Sequence, residues 1–292
     1  MSYLLDEDFL RKLESLLLFS RRVMRGEGIG RHQTYRRGAS LEFQDYREYY
    51  QGDDFRTIDL NILRRLNKPV VKVFAAEEDL LIHLFIDTST SMDYGTPSKF
   101  HYAKKLAAAI SFIGVSQLDR VKIVPVTNTP LEQVFISHQR GKSAPLFHFL
   151  ESLEPGGRTD LNRALRSYAA IAHQPGLAVI LSDLFSEPGI QDGLNALLYA
   201  GYDLLVIHIL HSDEIHPGIS GNNRLIDMES NESVTLFADK NRIDRYEQLL
   251  QDHMLRIEAF CIEHGIEYIR ACTNIPVEEL VFEYIKRGVH FK

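Results

Sequence analysis

The stretch LLIHLFIDTSTSMDYG, Leu80 to Gly95, decides how this chain is read. An apolar run, Leu80–Ile86, stops abruptly at Asp87, and Thr88, Ser89, Thr90, Ser91 and Asp93 follow at once. A short continuous apolar run fits a strand buried on both faces, as in a parallel sheet. The strand therefore delivers a carboxylate and several hydroxyls to one loop.

Working outward, helix and strand patterns alternate. Lys99–Leu118 predicts a helix with Phe100, Ala103, Leu106, Ala107, Ile110 and Ile113 on its face. Val121–Val126 and Leu131–Ile136 read as strands with Asn128-Thr129-Pro130 turning between them, and Ala144–Leu153 and Asp160–Ala172 as helices. Leu177–Leu181 is a strand, Ile190–Tyr199 a helix and Leu204–Leu210 a strand. Leu225–Glu229 and Val234–Ala238 flank a turn as an outlying hairpin, followed by helix Ile243–His264, strand Ile266–Arg270 and helix Val277–Lys286. This alternation predicts an α/β fold: a doubly wound, mostly parallel sheet with helices on both faces.

Upstream the pattern differs. Asp8–Arg25 reads as an amphipathic helix, and Gly26–Gly38 as a Gly- and Arg-rich loop. Beyond it lies a stretch dense in Tyr, Arg and Asp with a turn at Gly52-Asp53-Asp54, then a strand over Pro69–Phe74. Residues 1–76 show no core of their own. The expected organisation is a helix and Arg/Tyr-rich extension over 1–76, packed on a main domain over 77–292.

The 292 residues are 45% hydrophobic and 25% charged, an ordinary globular composition. The net charge of −7 argues against non-specific nucleic-acid binding. Residues 1–75 hold 14 Lys/Arg against 11 Asp/Glu, so the acidic balance lies in the remainder. Arg31, Arg36, Arg37, Arg47, Arg56, Arg64 and Arg65 have neighbouring acids as ion-pair partners. Two cysteines, Cys261 and Cys272, make no disulfide framework. The start lacks a signal-peptide pattern, and no apolar run approaches the length of a membrane helix. A cytoplasmic protein without a membrane span is expected.

In open α/β sheets ligands bind beyond the carboxyl ends of the strands. There the sequence places Asp87 with its hydroxyls, Ser182-Asp183, and a Gly156-Gly157 turn presenting Thr159. Alternate residues of a tight turn point to one side, so Asp87, Ser89 and Ser91 are expected to converge while Thr88 and Thr90 do not. The donors are all oxygens, with no thiol or imidazole among them, and hard oxygens suit Mg²⁺, Mn²⁺ or Ca²⁺. The same residues also serve as ordinary turn and cap chemistry: Ser98 and Asp160 stand where helices begin.

Asp87-x-Ser89-x-Ser91, Thr159 and Asp183 resemble the metal-ion-dependent adhesion site of von Willebrand factor type A domains. The chain also resembles the bacterial domain-of-unknown-function family number 58, through EFQDYREYYQGDDFRTIDLN (42–61), VKVFAAEED (71–79), FIDTSTSM (85–92), GGRTDL (156–161) and LSDLF (181–185). The resemblance implies a von Willebrand factor A-like fold. Asp87, Ser89 and Ser91 would be first-loop ligands, Thr159 a ligand in some states, and Asp183 a ligand directly or through water. It implies a divalent cation, Mg²⁺ first and Mn²⁺ or Ca²⁺ as alternatives, and a protein partner that donates Asp or Glu to it. Members of that family often pair with MoxR-type AAA+ ATPases, in maturation or remodelling of other proteins.

Two functional classes remain. The first is a non-enzymatic, metal-dependent interaction module working as an adaptor or co-chaperone. The second is a Mg²⁺-dependent phosphate-ester hydrolase with Asp87 as nucleophile. That layout resembles haloacid-dehalogenase phosphotransferases, which need a second Asp two residues on, where this chain has Ser89. Gly141-Lys142-Ser143 lacks the earlier glycine of a phosphate-binding loop, because position 136 is Ile136. His208, His211 and His216 form no metal-binding helix motif, and read as core or surface histidines.

Overall fold

The computed structural model describes residues 9, 11, 12, 15, 41–50, 58–76, 80–127, 134–136, 143–172, 174–186, 189–229 and 232–286. Most of the expected helix over Asp8–Arg25, the Gly- and Arg-rich loop, the 128–130 turn and the pair Gly141-Lys142 lie outside them. Phe9, Arg11, Lys12 and Ser15 are helical.

The chain divides into two compact units. In the smaller, β1 (Leu41–Glu48) pairs antiparallel with β2 (Val70–Ala76), with a register shift between Phe43 and Asp45. Between them runs α1 (Leu60–Leu66), started by Asp59, whose carboxylate accepts from the backbone N–H groups of Asn61 and Ile62. Tyr46 donates its hydroxyl to the same carboxylate at 3.2 Å.

The larger unit carries a six-stranded sheet. Its strands are β3 (Leu81–Asp87), β4 (Arg120–Val126), β5 (Phe135–Ile136), β6 (Leu177–Ser182), β7 (Asp203–Leu210) and β10 (Glu267–Cys272). The spatial order is β10-β7-β6-β3-β4-β5, parallel except for the antiparallel edge strand β5. The mostly parallel, doubly wound α/β fold is thus the one expected from the alternation of elements. The order reverses between β3 and β6, which makes their carboxyl ends the crevice of the sheet.

Every residue of β3 is buried, as its unbroken apolar run requires. Ile82, Leu84 and Ile86 face one core. That face is covered by α2 (Lys99–Ser116), α3 (Ala144–Ser152) and α8 (Val277–Lys286). Phe85 faces the opposite core, under α4 (Leu161–Ile171), α5 (Gln191–Tyr199) and α7 (Lys240–Glu263). The two-residue period of a strand thus feeds both layers. Gly176 lets β6 start close beside β3, since a Cβ there would stand 2.1 Å from the Leu81 carbonyl oxygen.

Phe9 is buried in the core on the α2 side, with Lys105 Nζ 5.5 Å from its ring centroid. Lys12 pairs with Glu278 of α8 at 3.2 Å. The helical residues before residue 24 therefore group with the larger unit, and the smaller one ends at Asp79.

A short helix not expected from the sequence, α6 (Ser212–Ile215), follows β7. Beyond it β8 (Gly221–Ile226) and β9 (Ser233–Ala238) form the outlying antiparallel hairpin, longer at its amino end than the apolar pattern indicated. Among the described residues no helix is long and apolar enough to cross a membrane.

Candidate functional site

Asp87 closes β3, and Ser182 closes the neighbouring β6. The parallel register pairs Ile86 with Leu181, so the two residues beyond them stand level. Ser182 Oγ donates to Asp87 Oδ2 at 2.6 Å, and the Ser89 N–H donates to Oδ1 at 2.9 Å. Both carboxylate oxygens are thereby fixed while the group is only 4% exposed.

The loop then tightens into a 3₁₀ turn, Thr90–Asp93. Ser89 Oγ and Ser91 Oγ lie 2.9 Å apart. Thr88 turns away and donates its hydroxyl to the Val126 carbonyl at 2.7 Å, and Thr90 donates to the Gly157 carbonyl at 3.1 Å. The alternation expected of the Asp-x-Ser-x-Ser spacing is therefore present: Ser89 and Ser91 meet, while the threonines hold the loop to its neighbours.

Those neighbours include the Thr159 loop. Gly156 N–H donates to the Thr88 carbonyl at 2.7 Å, and Thr90 N–H to that of Gly157 at 3.0 Å. Gly157 has φ +77°, a left-handed conformation that glycine accepts without strain. Thr159 Oγ1 donates to the Val126 carbonyl at 3.4 Å, so Thr88 and Thr159 share one acceptor. Asp160 caps α4 by accepting from the Arg163 N–H at 2.8 Å, as its position suggested. Ser98 likewise caps α2.

Asp183 follows β6 and is 2% exposed. Its Oδ1 accepts from the Phe185 N–H at 3.3 Å, and its Oδ2 from Lys99 Nζ at 2.7 Å. Lys99, the first residue of α2, is fully buried, and its ammonium also lies 2.5 Å from Glu214 Oε1. Glu214 Oε2 accepts from the His211 N–H at 2.8 Å, closing a capping box on α6.

The electrostatics follow from this crowding. Burial, and then the negative charge of Asp183, push the Asp87 carboxyl up to about 6 against the hydrogen bonds from Ser182 and Ser89. Burial alone would depress the Lys99 ammonium. Asp183 and Glu214 outweigh it, and the pKa lies above the ordinary lysine value.

The structure thus brings Asp87, Ser89, Ser91 and Asp183 to one crevice and ties the Thr159 loop to it. Among the described residues no group of three or more His, Cys, Asp or Glu is arranged to hold a metal. Any cation here would depend on hydroxyls beside two carboxylates. His208 is a buried core histidine whose Nδ1 lies 2.7 Å from the Tyr268 hydroxyl, and His211 caps α6. Cys261 is buried and Cys272 half-buried, both free.

Sequence reasoning missed Lys99 and Glu214. One signal was available. A cation at the first position of a helix opposes the helix dipole, so something else must hold it there. It also missed Ser182 as the residue that fixes Asp87.

Uncharacterized protein Rv1480 of Mycobacterium tuberculosis is 26% identical over 230 residues, spanning 77% of this chain and 72% of that protein. Among solved structures, the conserved hypothetical protein BatB from Bacteroides thetaiotaomicron aligns at TM-score 0.43 and 13% identity, over 71% of this chain and 98% of that one. Proximal thread matrix protein 1 from the mussel byssus, solved with a zinc-occupied MIDAS motif, aligns at TM-score 0.37 and 14% identity, over 45% of this chain and 38% of that one. The family model described as Protein of unknown function DUF58 matches residues 45–255, most of the chain, and the chain belongs to that family.

Proposed function

We propose that this protein is a non-enzymatic interaction module whose binding of a partner protein depends on a divalent cation. Asp87, Ser89 and Ser91 would hold the ion, with Thr159 joining in some states and Asp183 acting directly or through water. The observation that carries the reading is the pair of buried carboxylates at the β3 and β6 ends, with the Ser89 and Ser91 hydroxyls in mutual contact beside them. An all-oxygen donor set of this kind fits Mg²⁺, and Mn²⁺ or Ca²⁺ after it. Crowding of the two acids supports it as well: burial raises Asp87 most and the charge of Asp183 adds to it, and a cation relieves that added repulsion.

A divalent ion in such a site supplies a coordination position for one more anionic oxygen. The chain's own residues do the rest. Ser182 and the Ser89 backbone hold the Asp87 carboxylate in one orientation, and Thr88 and Thr90 anchor the loop. The occupant of the open position would be an Asp or Glu of the partner. From the family resemblance that partner is a MoxR-type AAA+ ATPase, and the pair would act in maturation or remodelling of other proteins.

Isothermal titration with Mg²⁺ and Mn²⁺ on the wild type and Asp87→Ala tests the metal. Binding to the wild type alone is expected, and equal binding by both refutes the assignment. Association with a purified MoxR-type ATPase, measured with and without EDTA, tests the partner. Complex formation indifferent to chelation counts against the metal-dependent contact.

A further inference from the structure

The ammonium of Lys99 is fully buried beside the candidate site, 2.7 Å from Asp183 Oδ2 and 2.5 Å from Glu214 Oε1. It lies 5.6 Å from the Phe185 ring centroid. A buried lysine is rare unless paired, and this one sits at the helix end where a cation is least favoured. Lys99 is therefore held by the two acids rather than by its helix. One of these acids is also a candidate metal ligand.

We propose that Lys99 is a positioning residue and a tethered competitor of the divalent cation: it occupies Asp183, keeps that carboxylate from direct coordination, and sets the site's resting metal affinity low. The inference rests on the metal-dependent reading above. Lys99 meets two acids, Asp183 and Glu214, and Asp183 in turn faces the buried Asp87, so among the described residues the acids here outnumber the buried ammonium. A divalent ion arriving beside Asp87 must do so against the field of the ammonium. In surroundings largely removed from water that repulsion is poorly screened. A partner carboxylate then adds the negative charge that favours a filled site, which makes metal and partner mutually reinforcing. Glu214 offers Lys99 a second acceptor when the bond to Asp183 loosens, and its own tie to the His211 N–H keeps it in place.

The test is Mn²⁺ titration calorimetry on the full chain, with thermal unfolding in EDTA and in Mn²⁺, for the wild type, Lys99→Gln and Lys99→Gln/Glu214→Gln. The double variant removes the acid that Lys99→Gln leaves without its cation. Both variants are expected to bind Mn²⁺ about tenfold or more tightly than the wild type, and to gain more in Tm from it. A gain in affinity is diagnostic, because mere loss of structure would weaken binding.

Variants that fold only with Mn²⁺ also support the proposal, the ion then replacing the ammonium. If the wild type binds Mn²⁺ and the folded variants bind no more tightly, Lys99 is only structural and the inference falls alone. If neither variant folds at any Mn²⁺ concentration, a divalent ion is no substitute for the ammonium and the inference again falls. If no protein binds Mn²⁺, the metal reading falls and takes the inference with it.

Discussion

Ser182 Oγ reaches across from β6 to donate a 2.6 Å hydrogen bond to Asp87 Oδ2 at the end of β3. The bond spans the point where the strand order reverses. It couples the two loops that bear the candidate carboxylates, because Asp183 is the next residue. Ser182→Ala removes the Oγ donor to Asp87 Oδ2 and the acceptor of the Leu184 N–H. The expected loss is about 1–3 kcal/mol of stability in EDTA, with weaker Mg²⁺ binding, measured by urea denaturation and calorimetry.

The raised pKa of Asp87 has a defined sign. An acid whose folded pKa, about 6, exceeds its ordinary value of 3.8 favours the folded state only while protonated. That contribution is fully present below about 4 and is lost as pH rises through about 6. In EDTA the wild type should therefore lose stability relative to Asp87→Asn between pH 4 and pH 7. Mn²⁺ should reverse that loss in the wild type alone. Urea midpoints at several pH values, with EDTA and with Mn²⁺, check both statements.

Two core histidines act in the opposite sense. Burial pushes His83 down to about 4 and His208 to about 3, against an ordinary value of 6.5. A base with a depressed folded pKa contributes stability above the unfolded value and loses it as pH falls. Acid should therefore destabilise the protein below about pH 6.5. His83→Gln should be less stable at pH 7 but show a shallower acid slope, read from the same urea series.

Gly95 has φ +94°, and a Cβ on it would lie 2.2 Å from His211 Cδ2. Gly95→Ala should cost about 1–3 kcal/mol through backbone strain and the clash. It should also displace His211 and loosen α6. Chemical denaturation, with amide exchange of residues 212–215, tests this.

Arg158 pairs with Glu229 at 3.4 Å, but its side chain is mostly exposed. Arg158→Ala should leave stability unchanged within error, a useful control beside Thr159.

The β3 strand and the oxygen cluster behind it were legible because both depend on local rules. An unbroken apolar run marks a strand buried on both faces, and alternate residues in a tight turn share a side. Asp160 and Ser98 were legible as caps for the same reason. Lys99 was not, since its meaning lies in Asp183 and Glu214, 84 and 115 positions away in the chain. Nor was α6 legible. A four-residue helix has no periodicity to show, and its capping box uses His211 rather than a usual capping residue. The grouping of Phe9 with the larger unit likewise depends on a distant core that no local pattern reveals.

The Val126 carbonyl accepts from three donors: Thr88 N–H at 3.3 Å, Thr88 Oγ1 at 2.7 Å and Thr159 Oγ1 at 3.4 Å. Thr159 contributes the longest of them. If its hydroxyl rotates towards a new ligand, Val126 keeps two donors and no buried acceptor is orphaned. Thr159 is thus a spare hand in an arrangement whose other hydrogen bonds are already spoken for. If the proposed cation site is filled, Thr159 can turn to it by side-chain rotation, without dismantling the end of β4.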